Sequence, residues 1–150
     1  MNRISSQYVL VLLVGLMLSA CSPVTSRPDT ASTKTVNVVN IANLRQTVEI
    51  EIGGFDATAA TPYPAIATIT DSALVTEFVD VLDTELATGP AAACLDAYRL
   101  RFLLSDGTLQ EFGYLCEPEP ALLRSELPAL AGQSIQAPEE LAALVQEQIQ

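Results

Sequence analysis

The stretch AYRLRFLLSDGTLQEFGYLC, Ala97 to Cys116, constrains the fold more than any other part of the chain. Apolar and polar residues alternate on both sides of Ser105-Asp106-Gly107, the pattern of two half-buried strands joined by a tight turn. Two registers compete. A two-residue Asp106-Gly107 turn pairs Phe102 with Glu111 and Leu100 with Gly113, which wastes the apolar face. A three-residue loop, Ser105 to Gly107, with Gly107 in the left-handed bulge position, pairs Leu100 with Phe112 and Tyr98 with Tyr114, so packing favours it. It also sets Arg101 opposite Glu111 on the other face, an exposed pair contributing about 0.2–1 kcal/mol. Arg99 and Arg101 therefore read as structural rather than anion-binding.

The segments around this hairpin divide between strand and helix patterns. VNVVNIAN and TVEIEI are dominated by β-branched residues, and Val48, Ile50 and Ile52 alternate with Glu49 and Glu51. That spacing predicts half-buried strands ended by Gly53 and Gly54. Phe55 to Pro64 is a loop in which Pro62-Tyr63-Pro64 holds an aromatic in extended chain, either as a recognition knob or as packing for the loop. A short strand, Ala65 to Ile69, leads into a helix over about 71–86, N-capped by Thr70 or Asp71, with Leu74, Val75, Phe78, Val81 and Leu82 as its apolar stripe. Glu77, Asp80 and Asp83 line the other side; they match no calcium-loop spacing and read as a solvated face, so no metal is expected.

Glu117 to Pro120, EPEP, breaks the second hairpin strand, and Leu122 to Leu130 reads as a weakly patterned connection. Pro138 suits the first position of a helix over about 138–149, with Leu141, Leu144, Val145 and Ile149 on one stripe and Glu139 and Glu140 at its start. The expectation is an α+β fold: a small antiparallel sheet, built from N-terminal strands and the 97–116 hairpin, packed by the two helices.

The N-terminus points to a destination. Tyr8 to Leu18 reads YVLVLLVGLML, eleven uncharged residues, after a short segment whose one charged side chain is Arg3. A helix crossing about 30 Å of hydrocarbon needs roughly 20 apolar residues, so the run is short for a permanent span and suits an export signal. Leu18-Ser19-Ala20-Cys21 resembles the lipobox of bacterial lipoproteins. The resemblance implies cleavage before Cys21, a diacylglycerol on its thiol, and attachment to the cell membrane or outer membrane with the domain extracytoplasmic. Each buried methylene contributes about 0.8 kcal/mol, so two or three chains on one residue anchor stably where a single chain does not. Ser22 is not the aspartate that, by the same resemblance, retains such proteins at an inner membrane. Residues 1–20 are then the signal peptide, 21–34 (SPVTSRPDTASTK from Ser22) a lipidated tether rich in Pro, Ser and Thr, and 35–150 a single domain.

An exported domain sits in an oxidising compartment. In the favoured hairpin register Asp96 lies across from Cys116, so Cys94, two residues earlier on the same face, is its near neighbour, and the two are expected to form a disulfide. Closing a loop of that size contributes about 3 kcal/mol. A metal pair lacks further soft ligands.

Composition narrows the function. Lys plus Arg number 7 against 18 Asp plus Glu, a net charge of -11, and there is no histidine. Such a surface repels nucleic acid, and the usual general base near neutral pH is missing. No cofactor is expected. The order of strands, a helix begun by Thr70-Asp71 and a hairpin turning at Asp106-Gly107 resembles the small domains of bacterial lipoproteins of the YhfM-like type, over about Ile66 to Cys116; the resemblance implies an α+β fold and carries no catalytic residues. The reading is a lipid-anchored, non-catalytic binding module at the cell envelope, with an envelope protein or polymer as partner and Tyr63, Ser105, Asp106 and Gly107 as candidate contacts. Two alternatives are an inhibitor of an envelope enzyme that presents the hairpin tip, Ser105 to Thr108, and a hydrolase pairing Asp96 or Asp106 with Glu111.

Overall fold

The computed structural model describes residues 34–115 and 121–150, and Thr33–Gln150 is a compact unit described by itself. The fold is α+β: an eight-stranded antiparallel sheet with helices on one face. In chain order the elements are β1 (Thr35–Val36), α1 (Val38–Ala42), β2 (Thr47–Gly54), β3 (Ala65–Ile69), α2 (Ser72–Leu82), β4 (Leu86–Pro90), β5 (Tyr98–Leu104), β6 (Leu109–Leu115), β7 (Leu122–Ser125), β8 (Gln133–Gln136) and α3 (Glu139–Gln148). Short 3-10 turns lie at Leu44–Gln46 and Pro128–Leu130. Across the sheet the order is β1-β4-β8-β7-β6-β5-β2-β3.

The hairpin takes the three-residue loop. Tyr98 pairs with Tyr114, Leu100 with Phe112 and Arg101 with Glu111. Gly107 has φ 85°, a left-handed conformation that costs a residue with a Cβ and not glycine. Leu100, Phe102, Leu104, Phe112 and Tyr114 point to the helices and are buried, and Phe102 and Phe112 meet edge-on at 5.9 Å.

Three expectations are corrected. VNVVNIAN is a strand only at Val36, the end of β1: Val38, Val39 and Ala42 fall on one side of α1 and are all buried. Asn37 accepts the Asn40 N–H at 3.0 Å as its N-cap, and Asn43 ends it in the left-handed region at φ 56°, where asparagine is tolerated. Burial of one face with two good caps outweighs the few tenths of a kcal/mol by which β-branched residues disfavour helix. The second correction concerns the end of α2, which stops at Leu82 rather than near 86. Asp83 leaves the helix because its carboxylate is held from outside, by Asn37 Nδ2 at 2.9 Å and by Arg45, so Asp83 is no part of a solvated face. Leu86 then goes into the core as the first residue of β4. Third, the region after Leu122 is not a connection but two more strands, which make the sheet larger than expected.

At the start of α2, Asp71 accepts the N–H groups of Ala73 and Leu74, both at 3.0 Å. Val75, Phe78, Val79 and Leu82 are its buried face, whereas Leu74 and Val81 pack at the margin. In α3 Pro138 is the extended N-cap rather than the first helical residue expected of it, and Leu141, Leu144 and Val145 are buried. The sequence alternation in β2 fails at one point: Ile50 and Ile52 are fully buried but Val48 is 51% exposed. The register against β5 shifts between Thr47 and Glu49, a bulge that turns Val48 out of line.

Candidate functional site

With the helices on one face, the sheet has a second, outer face to satisfy. Pairing aligns two rows of residues across it. One row runs Gly53, Arg99, Gly113, Arg124, Ser134, Gly89 over six strands. The next runs Thr68, Glu51, Arg101, Glu111. The long arginines stand between glycines, and two loops fold down where the glycines leave room.

Loop 91–97 brings Asp96 over Gly113. A Cβ built on Gly113 would lie 2.6 Å from Asp96 Oδ1, so the carboxylate occupies the space that a side chain there would need. The Asp96 side chain is 1% exposed, a burial that a charge tolerates only when it is paired and hydrogen-bonded. Arg124 supplies Nε at 2.9 Å and Nη2 at 2.5 Å to Oδ1, and Arg99 Nη2 lies 3.0 Å from Oδ2. Arg124 Nη1 also donates to Ala92 O at 3.4 Å, and Ser134 Oγ accepts the Ala92 N–H at 2.8 Å, so the loop is tied down at both ends.

Loop 55–64 covers Gly53, whose added Cβ would stand 2.8 Å from the Tyr63 carbonyl oxygen. That oxygen accepts from Arg101 Nη1 and Nη2, each at 3.2 Å. The Tyr63 hydroxyl donates to Asp96 O at 3.1 Å and joins the two loops. Its ring lies under the Arg99 guanidinium, 4.9 Å from centroid to Cζ, a cation–π contact. Arg101 closes the network with Glu111 through Nε at 2.8 Å and with Glu51 through Nη1, and Arg99 Nη1 reaches the other Glu111 oxygen at 2.8 Å. Burial works to lower the Arg101 pKa, but the hydrogen bonds and charges of Glu111 and Glu51 outweigh it and hold it above its ordinary value. Arg99 and Arg101 are thus committed to carboxylates of their own chain.

Where the two loops approach each other they leave a groove of about 700 Å³. Gly54, Pro64 and Tyr98 contribute to its walls, and Phe55, Ile66 and Leu95 line it while 47%, 49% and 74% exposed. Three open apolar side chains in one groove rimmed by polar groups form the kind of patch that interaction surfaces present. Asp56 stands at its rim. Its Oδ1 accepts the Thr58 hydroxyl at 2.7 Å and the Thr58 N–H at 2.8 Å, which lowers its pKa and keeps it ionised. On the other side of Asp96 a smaller polar hollow of about 350 Å³ is lined by Arg99, Arg124, Glu126 and Gln133.

The sequence-derived candidates fall in separate places. Tyr63 is half-buried and stands between the loops rather than projecting. Ser105, Asp106 and Gly107 are exposed at the hairpin tip, roughly 20 Å along β5 from the groove at about 3.3 Å per residue. There Asp106 Oδ1 accepts the Thr108 N–H at 2.8 Å, which lowers its pKa. Asp96 and Glu111 are not two free carboxylates across a cleft but share Arg99. Cys94 is half-buried and has no disulfide partner among the described residues; Cys116 and Cys21 lie outside them, as do the signal peptide and tether. No group of His, Cys, Asp and Glu among the described residues could hold a metal ion, and no described helix is long and apolar enough to cross a membrane.

Sequence reasoning missed Arg124 and the groove. Arg124, the single charge in LLRS, was a usable signal, since a lone arginine among apolar residues wants a partner. Compared with family models, with curated proteins and with solved structures, the chain gives no match.

Proposed function

We propose that this protein is a lipid-anchored cell-envelope protein, held through Cys21, whose domain is a non-catalytic binding module. The observation that carries the binding reading is the groove. Three exposed apolar side chains line it, and its walls are fixed by loops pinned through Asp96, Tyr63 and three arginines. Preorganised walls lower the ordering cost of binding. The same network speaks against hydrolysis by Asp96 and Glu111, whose carboxylates are each engaged by arginines. The lipobox resemblance supports the anchor, and the oxidising compartment that an exported domain reaches supports a Cys94–Cys116 disulfide; the register expected to carry Asp96 opposite Cys116 stops at Tyr98, because Asp96 folds back over Gly113.

Two measurements test this. Intact-mass analysis of the protein from native membranes is expected to show acyl groups on Cys21 and a two-hydrogen deficit at Cys94 and Cys116, with Cys21→Ala moving the protein to the soluble fraction. A photo-crosslinking residue at position 95 is expected to give a discrete adduct in intact cells. Unmodified Cys21 refutes the anchor, and absence of any adduct from positions 55, 66 and 95 refutes the binding module.

A further inference from the structure

The groove's surroundings bear on the chemistry of what it receives. Every described arginine, Arg45, Arg99, Arg101 and Arg124, is in an ion pair with a carboxylate of this chain, which leaves Lys34 as the one described cation without such a pair. The chain as a whole carries a net charge of -11. At the groove itself the exposed charge is Asp56, which stands at the rim, and the nearest cations are spoken for.

A second copy of the chain fits poorly. β3 is an edge strand and carries no charge, but its pairing with β2 jumps from Ala67 to Ala65, so Ile66 is a bulge. Bulges bend an edge and oppose its extension by another sheet. Two such acidic copies also repel each other. The Ile66 side chain instead folds over Gly54, with Cδ1 3.0 Å from where a Cβ would stand, and lines the groove. A groove of this size, with apolar lining and one anionic rim, suits a short extended segment with mixed side chains.

We infer that the groove between Phe55, Ile66 and Leu95 receives an extended segment of a partner protein whose apolar side chains enter the groove while a lysine or arginine meets Asp56. The inference rests on the binding-module reading and adds the partner's chemistry to it. Charge complementarity sets both the sign of the partner and its salt dependence.

The test uses the full-length lipidated protein in phosphatidylcholine nanodiscs, with methyl resonances of Ile66 and Leu95 as reporters and Leu109, at the far end of the hairpin, as control. The probes are an eight-residue peptide in which lysine alternates with leucine and its glutamate–leucine counterpart, with empty nanodiscs as blank. The lysine peptide is expected to shift Ile66 and Leu95 and not Leu109. Leu95→Ser is expected to weaken it about tenfold or more, through the apolar area lost, and Asp56→Asn about two- to fivefold, the worth of an exposed ion pair. Equal binding of both peptides, shifts confined to α2 near Glu77 and Asp80, binding no greater than to empty nanodiscs, or indifference to Leu95→Ser each overturn the inference. In those cases a discrete photo-adduct from position 95 still leaves the binding-module reading standing with a different partner chemistry, so the two failures are separable.

Discussion

Replacing Gly113 with alanine puts a methyl group where the Asp96 carboxylate now lies, 2.6 Å from Oδ1 and closer still to Oδ2. Gly113 sits mid-strand in β6, so on backbone grounds alone the change is expected to stabilise, by about 0.4–1 kcal/mol through the unfolded chain. The structure reverses that sign. To make room, Asp96 must leave the two arginines, and the Tyr63 hydroxyl loses the carbonyl it donates to. Breaking a buried ion pair by removing one partner costs about 3–5 kcal/mol because a charge is left buried and alone. Here loop 91–97 can lift and return the carboxylate to water, so the expected loss is smaller, about 2–3 kcal/mol, still a large part of a domain's 5–15. The assay is urea unfolding followed by far-ultraviolet circular dichroism, since the chain has no tryptophan. Gly89→Ala is the control: it lies in the same outer row but has nothing within 4 Å of its would-be Cβ, and is expected to be neutral or stabilising. The double change Gly113→Ala with Asp96→Ala completes a cycle in which the cost of the methyl group disappears once the carboxylate is gone. If Gly113→Ala proves as harmless as Gly89→Ala, Asp96 does not rest on that glycine and the account of how the outer face is covered is wrong.

Other outcomes follow from the same geometry. Arg124→Met is expected to cost about 2–3 kcal/mol in urea unfolding, because it leaves buried Asp96 with Arg99 alone; a loss within about 0.5 kcal/mol, as for an ordinary surface change, contradicts the pairing. Ile50→Ala is expected to cost about 2–5 kcal/mol, and Val48→Ala, two residues away but turned out by the bulge, less than about 0.5; similar losses at both positions would mean that β2 carries no bulge. Asp106 is held below the usual carboxylate range by Thr108, so its contribution to stability is present above its unfolded pKa, about 3.9, and is lost as pH falls through its lower folded value. Asp106→Asn keeps the turn's acceptor without titrating and is expected to make stability fall less steeply with acid below about pH 4; superimposable acid limbs refute it.

The hairpin was legible because turn chemistry and alternation act together: Gly107 fixes the loop, and only one register puts Leu100, Phe102, Phe112 and Tyr114 on the same side. The helix after Asp71 was legible for the same kind of reason, a capping side chain followed by a stripe. β4, β7 and β8 were not, because each delivers only one or two buried side chains, Leu86, Leu123, and Ser134 with Ile135, too few to show a period. α1 was misread because composition and caps disagreed, and the caps, Asn37 and Asn43, won. The charge pairs were half legible. Arg101 opposite Glu111 came from register, but Arg99 and Arg124 converge on Asp96 only because a loop folds back over Gly113, and no local pattern encodes that return. The groove was hidden for the same reason, since Phe55, Ile66 and Leu95 lie on a loop, an edge strand and a second loop.

The groove and the charge network are two results of one structural problem. A sheet with helices on one side must either solvate its other face or cover it, and Gly53 and Gly113 are the places where this chain covers it with its own loops. Covering a row of arginines requires carboxylates, and Asp96, Glu111 and Glu51 supply them, which removes those arginines from any outside ligand. The apolar residues at the loop margins are only partly covered, Phe55 by the Tyr63 ring at 5.6 Å and Ile66 by Gly54, and remain open where the loops stop short of each other. Binding at that groove, as proposed, would then depend also on residues that touch no ligand. Tyr63→Phe removes the hydrogen bond between the two loops while keeping the ring under Arg99, so it is expected to loosen the groove walls more than it destabilises the fold. A loss of affinity there that exceeds the loss of stability separates a positioning role from simple packing; matched losses would assign Tyr63 to packing alone.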